Sequence, residues 1–108
     1  MPRYMLMFVG DETRRDTTKG PMPEVGKWWE ELSKKGVIKG GERLDLSRTA
    51  TTLRRVNGTM KVIDGPFMEA KEQVGGYALI EVPDLDEAIR VAKSWPMGDV
   101  EVRPTVEH

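Results

Sequence analysis

One segment of this 108-residue chain concentrates ionisable side chains between two apolar stretches. It covers residues 64–76 and reads Asp-Gly-Pro-Phe-Met-Glu-Ala-Lys-Glu-Gln-Val-Gly-Gly. Asp64 would act as a general acid or base if burial made its carboxylate a better proton acceptor. Lys71 and Glu72 would be its polar partners, and Lys71 could also bind an anionic substrate. These three residues form the candidate catalytic set.

The same segment also permits a purely structural interpretation. Asp64 could accept backbone N–H bonds in a turn, Gly65 could supply an unusual φ, Pro66 could stiffen the chain and Phe67 could pack into the core. The pair Lys71-Glu72 could be solvated on a loop, where such pairs contribute little to stability. Turn chemistry alone explains these residue types, so both interpretations stay open.

Four side chains are candidates for contacts with a substrate. They are Glu42, which follows a Gly-Gly pair, Phe67, Tyr77 and Arg103. Arg103 could bind an anionic group, and it could meet the 64–76 segment across a sheet. It could instead pair with Glu42 in a structural salt bridge, and spacing does not separate these alternatives.

Periodic apolar residues predict four main strands and two helices. The strands are expected at 4–9, 37–44, 77–82 and 100–104, with a hairpin at 51–56 and 59–63. The first helix begins at Pro23 and ends before Gly36, and the second follows the N-cap Asp84 and is stopped by Pro96. Three tryptophans lie on the predicted helix stripes, which indicates core packing: Trp28, Trp29 and Trp95.

The order of these elements predicts an α+β fold, a ferredoxin-like βαββαβ unit with an inserted β-hairpin, in one domain covering residues 1–108. Both helices would cover one face of an antiparallel sheet. Because strands 4–9 and 77–82 are apolar throughout, the other face also needs cover. A second copy of the chain would supply it, so we predict a homodimer.

Composition excludes several classes of function. The 17 basic and 18 acidic residues give a net charge of -1, which lacks the basic excess of a nucleic-acid-binding protein. The absence of cysteine favours a cytoplasmic location and rules out thiolate chemistry. The apolar opening is too short for a membrane span. No nucleotide cofactor is expected, since Gly40-Gly41 and Gly75-Gly76 lead into strands and not into a helix. No metal is expected, since the one histidine is the terminal His108, interpreted as a loose end or a tag remnant.

The chain resembles the YCII-related family, in the branch named for an Asp-Gly-Pro-Phe motif. That motif is residues 64–67, followed by Lys71-Glu72 and by Gly75-Gly76-Tyr77. Further matching pieces, in the same order along almost the whole chain, are the opening 4–8, Gly40-Gly41-Glu42, Thr51-Thr52 and the ending 100–104. The resemblance implies a dimeric α-β barrel with a cleft between helices and sheet or at the dimer interface. A His-Asp pair of some relatives does not carry over, because His108 is the only histidine.

Two hypotheses follow. The chain is either a cofactor-free lyase, isomerase or hydrolase acting on a small organic molecule near the Asp64 loop, or a non-catalytic ligand-binding or regulatory module. The second agrees with an association of this branch with extracytoplasmic-function sigma factors, which the resemblance implies. An enclosed cleft with convergent charged groups would favour the enzyme, and splayed solvated groups would favour the binding module.

Overall fold

Six strands and two α-helices follow one another along residues 1–107, the part of the chain that the computed structural model describes. The strands are β1 (Arg3–Asp11), β2 (Ile38–Arg43), β3 (Thr51–Val56), β4 (Thr59–Asp64), β5 (Glu72–Glu81) and β6 (Asp99–Pro104), and the helices are α1 (Pro23–Lys34) and α2 (Leu85–Lys93). Two short 3-10 helices cover Glu12–Arg14 and Ser47–Thr49. His108, expected to be a loose end, lies outside the described residues.

Four strands form one antiparallel sheet in the order β2-β5-β1-β6, and β3 pairs with β4 in a separate two-stranded sheet. Without the hairpin, the chain runs strand, helix, strand, strand, helix, strand, with the first and third strands adjacent at the centre. The predicted ferredoxin-like α+β fold with an inserted hairpin is therefore confirmed.

The core lies between the four-stranded sheet and the two helices. Alternate residues of β1 are buried on this side, led by the fully covered Leu6. Trp28 from α1 and Ala88 from α2 pack against the same cluster. The ring of Trp95 stacks on Phe8 at 3.8 Å between centroids, and the indole N–H of Trp28 donates to Ser94 Oγ at 2.8 Å. Trp29, the third tryptophan, is half-buried against the same cluster. The predicted core packing of the three tryptophans is therefore confirmed.

The opposite side of the sheet carries the other set of alternating residues. Half-buried side chains on this side are Met5, Met7 and Val9 of β1 and Tyr77 and Leu79 of β5, and neither helix of residues 1–107 lies above them. We call this surface the open face. It also includes Glu42 of β2, which lies opposite Tyr77. On β6 it includes Glu101, opposite Met7, and Arg103, opposite Met5. The two faces of the sheet are apolar, as predicted, but only one is covered within the chain.

Short sequence signals correctly predicted the end of α1, the hairpin turn and the start of α2. Gly36 has φ +73° and closes α1 with two bonds, Gly36 N–H to Ser33 O and Val37 N–H to Leu32 O. Asn57 and Gly58 have φ 50° and 81° in the hairpin turn. Asp84 Oδ1 accepts from Glu87 N–H at 2.9 Å at the start of α2.

Three boundaries differ from the prediction by two residues or more. Strand β1 ends at Asp11, two residues after the predicted end at Val9. The apolar periodicity predicted a second helix that reaches Trp95, but α2 ends at Lys93. The N–H groups of Ser94 and Trp95 donate to carbonyls three residues earlier in the chain. Strand β5 begins at Glu72, earlier than the Gly75-Gly76 pair, because β1 continues to Asp11 and pairs with it. Part of the predicted loop is therefore strand.

Candidate functional site

A row of side chains crosses the open face from edge to edge. Glu42 of β2 lies opposite Tyr77 of β5, which lies opposite Met7 of β1, which in turn lies opposite Glu101 of β6. Residues directly opposite in antiparallel strands point to the same side of the sheet. Predicted residues Glu42 and Tyr77 are thus neighbours, with the phenol half-buried and the carboxylate exposed.

Arg103 lies one row further along β6, opposite Met5. Its guanidinium forms an ion pair with Glu101 on the same strand. Two strands separate it from Glu42, a distance of about 14 Å at the usual strand spacing. The salt bridge between Glu42 and Arg103 considered above is therefore wrong, and the two residues mark opposite margins of the open face.

The glycine pairs allow β2, β5 and α1 to approach closely. A Cβ on Gly41, which has φ +145°, would lie 2.3 Å from Tyr77 O and 2.7 Å from Trp29 Cη2. A Cβ on Gly76 would meet Glu42 O at 3.0 Å. Gly41 therefore permits a close approach of the backbone, and the register of β2 on β5 also shifts between Ile38 and Gly40.

Lys71 and Glu72 lie at the end of β1, away from the Glu42–Tyr77 row. Glu72 is the first residue of β5 and lies opposite Asp11. Lys71 Nζ is 3.9 Å from Asp11 Oδ2, and the side chains of Lys71 and Asp11 are 81% and 38% exposed. Lys71 is thus a solvated residue before β5, whereas Glu72 belongs to the strand, and both lie at one end of the open face.

Asp64 and Phe67 belong to the hairpin region. Asp64 is the last residue of β4, opposite Thr51, and it is exposed. Gly65 has φ +104°, and its N–H donates to Ala50 O at 2.8 Å while its carbonyl accepts from Thr52 Oγ1 at 2.7 Å. Phe67 is 60% exposed, with Arg54 Cζ 4.1 Å from its ring centroid. The turn role of Gly65 is confirmed, and packing of Phe67 into the core is wrong.

An open depression of about 230 Å³ lies beside this turn. Its lining consists of Ser47, Arg48, Pro66, Glu69, Ala70 and Gln73. A depression of about 350 Å³ at the other end of the molecule, between the end of α1 and the start of α2, contains no predicted site residue. Asp64 lines neither depression, and within one chain its carboxylate is exposed to solvent.

A polar network that sequence reasoning missed ties the 10–22 connection to the segment after β2. Ser47 N–H donates to Glu12 Oε2 at 2.9 Å, and the Ser47 hydroxyl donates to the other oxygen. The guanidinium of Arg15 lies against Gly75 and donates to Leu44 O. Arg43 donates to Lys19 O at 2.7 Å and to Asp16 O at 3.0 Å. The partners in this network are distant in sequence, so residue spacing alone does not reveal it.

The bond from Ser47 is the main reason that the pKa of Glu12 is lower than its ordinary value. A carboxyl group with a lowered pKa in the folded state adds stability above its unfolded pKa, and this contribution is lost as pH falls through the folded pKa. For Ser47→Ala we expect the Tm near neutral pH to fall by about 4 °C, since one charge-assisted hydrogen bond is lost. The difference from wild type should shrink as the pH falls through the lowered pKa of Glu12.

Differential scanning calorimetry across the pH range measures this difference, with Ser33→Ala as the matched control. Ser33 is an exposed residue of α1, and alanine is the better helix former, so its Tm should not fall. A loss for Ser47→Ala that does not change on acidification would contradict the role of the Glu12 carboxylate and would indicate a packing defect instead.

Among residues 1–107, no group of three or more His, Asp or Glu side chains could hold a metal ion. Within the same residues, neither helix has the length and apolar character needed to cross a membrane.

Comparison with known proteins adds two findings. The YCII-related domain family matches residues 2–107. An uncharacterized protein of Rhizobium meliloti (strain 1021) is 43% identical over 67 residues, covering 57% of this chain and 54% of that protein. The chain thus spans about half the length of the curated relative that it matches.

Proposed function

This chain belongs to the YCII-related domain family, and on that premise we propose that it acts as a homodimer that binds a small organic molecule over the open face. The observation that carries the proposal is the row in which Glu42, Tyr77 and Met7 lie side by side on a sheet surface without a helix above it. Such a surface combines an apolar floor with a few polar groups that fix orientation, as ligand sites do.

The chemistry of the row suggests the kind of ligand. Met5, Met7 and Leu79 offer a half-buried apolar floor, which suits an apolar or aromatic ring. The Tyr77 hydroxyl can donate and accept a hydrogen bond. Arg103 at one margin suits a carboxylate or another anionic group, and Glu42 at the other margin suits a hydroxyl or amine.

The reason to propose a dimer is that the apolar residues of the open face are not covered within one chain. The two helices pack on the other side of the sheet, and the molecule is only 19 Å across its shortest axis. A standard interface buries about 800 Å² on each partner. A second copy laid on the open face would bury its apolar residues and enclose the ligand row, as a dimeric α-β barrel does.

The catalytic form of this proposal uses Asp64 as acid or base with Lys71 and Glu72 as polar partners. Within one chain these residues lie outside the Glu42–Tyr77 row, so the binding function has the stronger structural support. A regulatory association with an extracytoplasmic-function sigma factor and a cytoplasmic location remain proposals that rest on the resemblance and on composition.

Native mass spectrometry of gently purified protein tests the proposal. We expect a dimer, with additional mass from a retained small molecule that dissociates at higher collision energy. Tyr77→Phe should keep the dimer and retain roughly tenfold less ligand, because one buried hydrogen bond of about 1 kcal/mol or slightly more is lost. A monomer at micromolar concentration would overturn the proposal.

A further inference from the structure

The β3–β4 hairpin, residues 51–64, which we call the arm, stands apart from the four-stranded sheet. Within the described part of the chain, its two strands pair only with each other. The radius of gyration is 15.7 Å, compared with about 13 Å expected for a compact domain of this length. An isolated two-stranded hairpin is marginally stable in water. The arm is therefore a projecting element that needs further contacts.

The two faces of the arm differ in what supports them. On one face, Thr52 is buried and bonds to Gly65, and Arg54 covers the Phe67 ring. The other face carries Leu53, Met60 and Val62, which are 51%, 45% and 69% exposed. Val56 and Ile63 on the first face are also 39% and 42% exposed, but that face has Phe67 beside Arg54, so the second face is the more open contact surface. We call this second side the apolar face of the arm.

Charge distinguishes the arm from the open face. The arm contains three basic residues, Arg54, Arg55 and Lys61, and one acidic residue, Asp64, so its net charge is +2. Of these, Arg55 and Asp64 lie on the apolar face, by their pairing with Met60 and Thr51. The margins of the open face carry Glu42, Glu101 and Arg103, a net charge of -1. The opposite net charges of the arm and the open face favour their contact.

The dimensions also agree. Each arm strand has 6 residues, a length of roughly 20 Å at about 3.3 Å per residue. The four strands of the open face span about 14 Å between the outer two. An arm can therefore cross the whole open face of another copy.

We propose that in the homodimer the arm of each copy lies across the open face of the other, so that the ligand site is completed in trans by Asp64. Asp64 lies on the apolar face of the arm, two residues from Val62, so docking of that face directs it toward the partner. It then joins the partner's Glu42–Tyr77 row, from which it is separated within its own chain. This inference rests on the homodimer proposed above.

Docking in trans also changes what Asp64 can do. In one chain its carboxylate is solvated, whereas under the partner it is removed from water beside a phenol and a ligand. The acid/base role predicted for Asp64 therefore belongs to the dimer, and Lys71 and Glu72 border the site from the end of the sheet.

The absence of cysteine makes a cross-linking test specific, since every thiol is an introduced one. Val62→Cys in one copy and Glu101→Cys in a differently tagged copy are co-expressed, purified through both tags and treated with a short bismaleimide. We expect a covalent dimer whose tryptic map links position 62 to position 101. The control pairs Val62→Cys with Glu30→Cys, an exposed position on α1, and should give less than about a tenth of that yield.

The outcomes separate this inference from the proposed function. Native mass spectrometry of the same samples reports the dimer independently of the cross-link. A dimer with the 62–101 link supports the inference. A dimer in which this pair links no better than the control overturns docking of the arm and leaves the homodimer standing, and a monomer overturns both.

Discussion

Gly41→Ala is expected to lose at least about 3 kcal/mol of folding free energy, with a Tm lower by more than about 10 °C. The added Cβ would lie 2.3 Å from Tyr77 O and 2.9 Å from Ala78 Cα, both backbone atoms of the central strand β5. The φ of +145° is also unfavourable for any residue with a side chain. Neither conflict can be relieved by a rotamer change, so β2 must separate from β5.

Gly40→Ala is the matched control for this prediction. No atom lies within 4 Å of a Cβ at Gly40, and its φ is not in the positive region. We expect a change within about 0.5 kcal/mol. Urea titration followed by circular dichroism compares the two variants. Equal losses would show that the Gly-Gly pair matters for strand propensity and not for the close approach of Gly41 to Tyr77.

The same close approach links stability to the proposed site. Glu42, the residue after Gly41, lies opposite Tyr77 of the proposed site. A partly folded Gly41→Ala protein should therefore lose the retained ligand together with the pairing of β2 and β5. Loss of ligand in this variant reports the integrity of the sheet edge, and it should track the fraction folded.

Met7→Glu is expected to convert the proposed dimer to a folded monomer. Met7 is half-buried at the centre of the open face, between Tyr77 and Glu101 in the row. In a monomer the new carboxylate can reach water at little cost. In the dimer it would be buried without a cationic partner in the row, and burial of an unpaired charge costs several kcal/mol. We expect the dissociation constant of the dimer to rise at least about 100-fold.

Sedimentation velocity over a concentration series measures this shift, and circular dichroism checks that the fold is retained. Met22→Glu is the matched control, because Met22 is 47% exposed just before α1 and away from the sheet. It should leave the dimer unchanged. A Met7→Glu protein that stays dimeric at wild-type affinity would place the interface elsewhere and would remove the basis for the ligand row.

Elements governed by neighbours in sequence could be predicted from the sequence. Asn57-Gly58 specified a tight hairpin turn, Gly36 a helix end and Asp84 a helix start, because each depends on backbone geometry or on a bond within a few residues. Alternation along the last strand likewise placed Glu101 and Arg103 opposite the two valines that face the core. The family resemblance agrees with the match over residues 2–107.

The grouping of site residues depended on the tertiary structure. Glu42 and Tyr77 became neighbours through the register of β2 on β5, whereas Arg103 paired with Glu101 and lay two strands away. Asp64, adjacent in sequence to the rest of its motif, projects on the arm, and Glu72 entered β5 because β1 continues to Asp11. Strand order and register are set by contacts between residues far apart in the chain, and spacing within a motif does not encode them. The sequence thus determined which side chains are available for chemistry, and the sheet decided which of them share a surface.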